Sequence, residues 1–469
     1  MITINKYEKL LKNSIVFAIG NFGSKLISVL LVPLYTFVLS SSDYGKIDLV
    51  ITTINLLLPI VFLSITESVL RFSMDDKEEL ENTLSGGIAL SIIVSLLLLL
   101  TYPFTISIAP NSFRPMMKYF LFLIILQQFQ ALFAQFTRAR GKVLYYSING
   151  ILLTFLTVVL NILFLVVLRW GISGYFYSLI IANIVSILYL TKKMKILSYI
   201  NFRSITKVHL REMLSYSIPM IPNMIMWWVV NSSTRYFILY YNGASENGLY
   251  AVASKLPALI TMLAAIFSQA WQLSSVEEYN SKDKEDFFSK TFLAFSMVMM
   301  LSSSALLIVL KPVMLNVVEN SYYSSWMFVP PLVLASVYSS FSGFVGTTYT
   351  AAKQTKGIFY SSVIGGGASI ITSFLLIPPY GGVGAGISSF VGFFIIYWYR
   401  LKDTQKFVSL NIDFLFFVSS NIIYIIQWIA LFIPNAIWGL TIQVLLFISL
   451  LYLNKRKLLF FFYLIKKSR

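Results

Sequence analysis

The sequence predicts an all-α integral membrane protein of fourteen transmembrane helices, with two parallel-repeat six-helix lobes around a central cavity and one appended helix pair. Three observations predict it. The first is composition. Of the 469 residues, 57% are hydrophobic and 12% charged, with a mean hydropathy of +0.78; soluble domains carry about 25% charged residues. The second is segment length. A bilayer-spanning helix needs about 20 mostly apolar residues, and such segments fall at 14–39, 46–70, 84–104, 116–137, 146–168, 173–191, 213–240, 248–275, 289–310, 325–351, 359–377, 383–399, 413–432 and 436–453. The third is the distribution of cations. If the chain starts inside, inside segments hold 28 of the 36 Lys and Arg, and outside loops hold only Lys46, Arg114, Lys118, Arg169 and Lys311. That bias is the positive-inside signature and places both termini in the cytoplasm. An error of one helix would invert every later loop, so the steady alternation supports the count of fourteen.

The segments follow in order. Segment 1 is long, follows Lys6, Lys9 and Lys12, and lacks a small-residue cleavage site, so it reads as a helix and not as a signal peptide. Asp43 and Glu246 read as caps of segments 2 and 8, because acids favour helix N-termini. The run "DDKEELE" (Asp75–Glu81) before segment 3 reads as a solvated loop. Segment 4 carries Gln127, Gln128, Gln130 and Gln135, which either line the N-terminal half or join helices together. "WGISG" joins segments 5 and 6. "GGVGAG" (Gly381–Gly386) joins segments 11 and 12; it follows Pro378-Pro379 with no strand before it, so it reads as a tight turn with close helix packing and not as a dinucleotide fingerprint. Segments 13 and 14 form the appended pair, and the basic, aromatic tail Asn454–Arg469 reads as lying on the inner membrane surface.

The two halves superpose. At a constant offset of 203, Ser14 meets Ser217, Asp43 meets Glu246 and Gly45 meets Gly248 without a gap, and "ARGKVLYYS" (Ala139–Ser147) later resembles "QTKGIFYSS" (Gln354–Ser362). Six helices thus repeat in the same orientation. The expected division is an N-lobe at 1–211, a C-lobe at 212–405, and the appended pair with its tail at 406–469. Parallel repeats of this kind are a transporter architecture, with the substrate held near the midplane between the halves.

Composition also excludes chemistry. There are no cysteines and one histidine, His209 in a basic loop, so thiolate and imidazole metal sites are ruled out and no cofactor is expected. The net charge of +17 is topological, with some attraction to anionic membrane lipids, and does not signal nucleic acid. External loops of about a dozen residues leave no room for an active site, so no catalytic residue is assigned and the protein is read as a non-enzyme.

Three cations remain inside membrane segments: Lys25, Arg235 and Lys255. A lysine at the centre of a membrane helix costs about 2.5–3.5 kcal/mol on insertion scales. Lys25 lies eleven residues beyond Ser14, about 16 Å at 1.5 Å per residue, on a stripe with Asn21 and Ser28. On segment 7, Asn223, Trp227, Asn231 and Arg235 recur at four-residue steps; segment 8 carries Lys255, Gln269 and Gln272. The cations suit a diphosphate, which Arg grips as a planar fork and Lys as a point charge. The amides and the indole suit sugars. Asp48 and Glu67, near the two ends of segment 2, are candidates for ion coupling.

The stretch "NSIVFAIGNFGSKLISVLLVPLYTFVLSSSDYGKIDL" (Asn13–Leu49) resembles the opening of bacterial polysaccharide-unit flippases, the Wzx-type members of the multidrug/oligosaccharidyl-lipid/polysaccharide exporter superfamily. In that family a long first helix ends in an acidic-Tyr-Gly turn, as Asp43-Tyr44-Gly45 does here. The resemblance extends over essentially the whole chain. It implies a V-shaped pair of lobes in the bacterial inner membrane, with segments 1, 2, 7 and 8 lining the cavity. The cargo it implies is an undecaprenyl-pyrophosphate-linked oligosaccharide for O-antigen or capsule synthesis, with a polysaccharide polymerase and a chain-length regulator as partners. A lipid II flippase shares the anchor and remains an alternative, as does an ion-coupled multidrug exporter of the same superfamily.

Overall fold

A computed structural model describes residues 31–74, 80–352, 354, 356–455 and 457; the side chains of Val143, Asn223, Gln269 and Leu273 lie outside that description. Among the described residues every regular element is helical. The long elements are α1 (Val32–Val38), α2 (Ser41–Val61), α3 (Ile65–Phe72), α4 (Leu80–Ile108), α5 (Met117–Ala139), α6 (Val143–Asn161), α7 (Gly171–Lys193), α8 (Lys207–Ser217), α9 (Ile221–Ser232) and α10 (Thr234–Ala253). They continue as α11 (Lys255–Glu277), α12 (Lys284–Val317), α13 (Val329–Ala351), α14 (Lys356–Thr404), α15 (Phe414–Ala430) and α16 (Ala436–Leu453).

Ten helical stretches among the described residues are long and apolar enough to cross a membrane. Two of them, 207–277 and 356–404, each hold two of the segments expected from the sequence, and Phe414–Ala430 is a shorter apolar helix. Thirteen of the fourteen expected segments therefore coincide with described helices. The first is described only from residue 31 on. In a hydrocarbon layer the backbone has no water to bond, so each crossing must satisfy its own peptide groups as a helix. The protein is a multi-pass membrane protein.

Where the helices break, the cause is local. Ser40 caps α2, its Oγ accepting the Asp43 N–H at 3.1 Å, while Asp43 pairs with Lys46 at 3.7 Å. Asp43 is thus a first-turn acid and not the cap itself. At the equivalent place in the second half, Gly243 (φ 87°, ψ 178°) interrupts α10, so a new helix starts at 244. That is residue 41 plus the 203-residue offset read from the sequence. Within α2–α3 the chain kinks at Leu63 and Ser64, both with positive φ. The Ser64 N–H returns to the Pro59 carbonyl at 2.8 Å, a helix-terminating turn that lets α3 start afresh.

The described helices pack as two compact units, one within residues 37–232 and the other formed by residues 31–36 with those described from 233 on. In the first unit a buried cluster gathers Ile65, Val69, Leu84, Leu132, Phe136 and Ile196. Polar crosslinks run through it: Gln128 on α5 donates to Ser91 on α4 at 3.0 Å, and Ser186 on α7 to Asn149 on α6 at 2.7 Å. Gln128 therefore joins helices. His209 lies not in a loop but on α8, where it is buried and shares a 2.8 Å hydrogen bond with Thr83 on α4.

In the second unit α13 is central, and its Trp271-facing side meets a stack of aromatic rings; Trp271 and Phe344 lie 4.3 Å apart, centroid to centroid. The two limbs of α14 fold back at Gly381 and touch through small residues, Gly365 against Ile396 and the Gly392 carbonyl. The appended pair α15–α16 is bonded to this unit inside the apolar layer. Gln427 accepts from Ser304 on α12 at 2.6 Å and donates to the Gln443 carbonyl at 3.2 Å, and Tyr424 donates to the Pro330 carbonyl at 2.9 Å. Buried amides that find such partners hold helices together where the hydrophobic effect supplies little drive.

Candidate functional site

The structure bears on some of the expected site residues and leaves others aside. Lys25, Asn21 and Ser28 lie outside the described residues, as do the side chains of Asn223 and Gln269. Arg235, Lys255 and Gln272 belong to the second unit; Trp227, Asn231, Asp48 and Glu67 belong to the first.

In the second unit, the reversal at Gly243 folds the two limbs of α10 onto one another. Thr234 Oγ1 and the Tyr250 hydroxyl approach to 3.1 Å, and the Arg235 guanidinium sits over the Tyr250 ring at 5.5 Å from its centroid. Tyr250 is fully buried, so the ring is a fixed platform for the half-buried cation. An aromatic face attracts a guanidinium by about 0.5–2 kcal/mol. Five residues beyond Tyr250, roughly 7.5 Å of helix rise, stands Lys255 at the start of α11. It is half-buried and has no hydrogen bond or ion pair among the described residues. Gln272, exposed on the same helix, adjoins buried Trp271, whose indole N–H donates to Thr347 Oγ1 at 2.8 Å. Two cations and an exposed amide thus share the α10–α11 segment.

In the first unit, α9 is fastened to α2 by Trp228, whose indole N–H donates to the Thr52 carbonyl at 3.1 Å. That rotation leaves Trp227 and Asn231 on the exposed side, and Asn231 Nδ2 donates to the Trp227 carbonyl at 2.8 Å. An exposed indole beside an amide is a surface on which a sugar can stack and bond. Asp48 and Glu67 are both half-buried, but the kink at 62–64 separates them and α2 alone puts about 20 Å between Asp48 and the kink. They do not form one carboxylate pair.

Two charged residues have partners that their sequence context does not show. Glu246 does not cap segment 8; its Oε1 accepts the Gly382 N–H at 3.1 Å and so caps the second limb of α14. Arg400, which the cation count assigns to an inner loop, is 2% exposed. Its guanidinium bonds to the Ser361 and Ser362 hydroxyls and the Ser342 carbonyl at 2.8, 3.2 and 2.9 Å. The run of serines at 361–362 facing a lone inward arginine is the only sequence signal for it.

These features define a polytopic helical membrane protein with cations set into its apolar stretches. Comparison with known proteins agrees. Residues 10–272 match the family described as "Polysaccharide biosynthesis protein", more than half of the chain, and the chain belongs to that family. Among solved structures, the fold is similar to the lipid II flippase MurJ in an inward closed conformation, with a TM-score of 0.74 at 16% identity, covering 95% of this chain and 100% of that one. It is also similar to an inward-facing multidrug resistance MATE transporter of the MOP superfamily (TM-score 0.66, 14% identity, 85% and 98% covered) and to a MATE protein in a straight conformation (TM-score 0.58, 15% identity, 86% and 97% covered). A search of curated proteins gave no match. The fold is the one that MurJ and these MATE transporters share.

Proposed function

We propose that the protein is a flippase that moves an undecaprenyl-pyrophosphate-linked oligosaccharide unit from the cytoplasmic to the outer leaflet of a bacterial inner membrane, for O-antigen or capsule synthesis. One observation carries this reading: Lys255 stands half-buried in a membrane-crossing stretch without an ion pair or hydrogen bond among the described residues, next along the chain to Arg235 on its tyrosine platform. An unpaired cation in a low-dielectric span is costly unless a ligand neutralises it for part of the cycle. A diphosphate is such a ligand, and membership of a polysaccharide biosynthesis family supports an oligosaccharide as the rest of the cargo. In this reading Lys25, Arg235 and Lys255 bind the diphosphate, and Asn21, Ser28, Asn223, Trp227, Asn231, Gln269 and Gln272 bind the sugars. A polymerase with its length regulator then takes up the flipped unit. Alanine at Lys25, Arg235 or Lys255 should abolish polymer export at unchanged membrane abundance, and Lys25→Arg should retain part of it. Equal loss of abundance and export would assign these cations to structure.

A second reading, lipid II as cargo, is favoured by the likeness to MurJ over 95% of the chain. The two separate by complementation. A polysaccharide-unit flippase restores surface polymer to a strain lacking its own and does not rescue cells depleted of their lipid II flippase.

A further inference from the structure

We infer that the connection between α7 and α8 is a docking surface for the anionic phospholipid headgroups of the protein's own inner leaflet. The inference rests on the chain's crossing the membrane with its basic loops inside, and not on the identity of the cargo.

Residues 194–206 leave α7 through Lys195, whose φ of 51° turns the chain sharply. The segment is then bonded down on one side. Met194 and Ile196 enter the buried cluster of the first unit, with Tyr199 and Ile200 packed against it. Ser85 on α4 donates to the Tyr199 carbonyl at 3.3 Å and accepts the Asn201 N–H at 2.8 Å. Asn82 and Thr206 exchange two more bonds, at 3.2 and 3.3 Å. These contacts make the segment a fixed platform and use up one set of its apolar side chains.

A second apolar set remains outside. Leu197, Phe202 and Val208 are 71%, 52% and 70% exposed. Around them stand Lys192, Lys193, Lys195, Arg203, Lys207 and Arg211, all exposed and none in an ion pair among the described residues. The only acid in 192–212 is Glu212. The platform joins the ends of two membrane-crossing stretches through thirteen residues, so it stays at headgroup depth. A cationic surface holding three large apolar side chains is matched by an anionic leaflet, which offers phosphate outside and acyl chain beneath. Charge complementarity together with a position at headgroup depth points to that occupant.

The chain has no cysteine, so Leu197→Cys carries a single bimane label. It is read in nanodiscs of phosphatidylcholine, with and without phosphatidylglycerol. The expected result is a blue shift, several-fold lower iodide accessibility and quenching by brominated acyl chains, all only with phosphatidylglycerol present. A variant with Lys192, Lys193, Lys195 and Lys207 changed to Gln should lose the effect while keeping its melting temperature, elution profile and the signal of a label at Asn242. Equal iodide accessibility in both discs overturns the inference, as does a shift in neutral discs that the Gln variant retains. Shielding seen in crude membranes and lost in both purified discs would assign the surface to a protein instead.

Discussion

Replacing Gly381 by alanine should destabilise the second unit by roughly 2–5 kcal/mol, a loss that depends on Glu246. Gly381 sits at φ 51°, ψ −131°, a region essentially closed to residues with a Cβ, and holding one there costs of the order of 1–3 kcal/mol. The added Cβ would also lie 2.5 Å from Glu246 Oε1, the atom that accepts the Gly382 N–H at 3.1 Å. To make room the carboxylate must swing away and surrender that bond. Hydrogen bonds to charged groups contribute about 1.5–3 kcal/mol, and the half-buried setting of Glu246 argues for the lower end. A double-mutant cycle separates the two parts: in a Glu246→Ala background the clash and the bond are already gone, so Gly381→Ala should cost only the backbone strain. Equilibrium unfolding in mixed micelles reads both values. A Gly381→Ala loss within about 0.5 kcal/mol of zero, or an equal loss in the two backgrounds, would refute the account of this turn.

Other outcomes follow from the same structure. Cysteines at Ser198 and Asn242, both exposed, should react with an impermeant reagent from opposite sides of the membrane; labelling from one side would overturn the helix count. The inside-negative potential acts on each charge with about 2.3 kcal/mol per 100 mV, so a diphosphate-linked cargo should flip outward in vesicles without proton or sodium gradients and faster as the potential grows. Arrest on removing an ion gradient at constant potential would make Asp48 and Glu67 the first residues to neutralise. Outside the spans, hydrogen bonds from the Ser321 hydroxyl and N–H hold the Glu319 carboxyl below the usual carboxylate range. Because the folded value is the lower one, its contribution is present above the unfolded pKa near 4.3 and is lost as pH falls through the folded value. Ser321→Ala should raise the carboxyl's midpoint, read by NMR on labelled glutamate, and an unchanged midpoint would exclude the hydroxyl as the cause.

What could be read along the chain is what depends on the chain alone. A span such as Leu80–Ile108 announces itself because a dehydrated backbone must bond to itself, and that demand needs only a run of apolar residues. The match of Asp43 with Glu246 across the 203-residue offset likewise found a real structural equivalence, with helices starting at 41 and 244. Yet the same match assigned Glu246 the wrong partner. In one half the start is capped by Ser40; in the other Gly243 takes that place and Glu246 is released to cap a helix 136 residues away.

The candidate site divides in the same way. That Arg235 and Lys255 lie inside membrane spans follows from hydropathy. That Arg235 rests on the buried Tyr250 ring follows from the fold-back of α10 at Gly243, while Lys255 stands without an ion pair among the described residues. Arg400 shows the limit most plainly: by position it is one more inner-loop cation, and by structure it is buried among Ser342, Ser361 and Ser362. The sequence by itself determined the membrane and where the apolar spans fall, because both are set by local hydrophobicity. Only the tertiary structure decided which charges are sheltered, which are bonded and which face outward, because a charge inside a low-dielectric protein is governed by neighbours that arrive from distant parts of the chain.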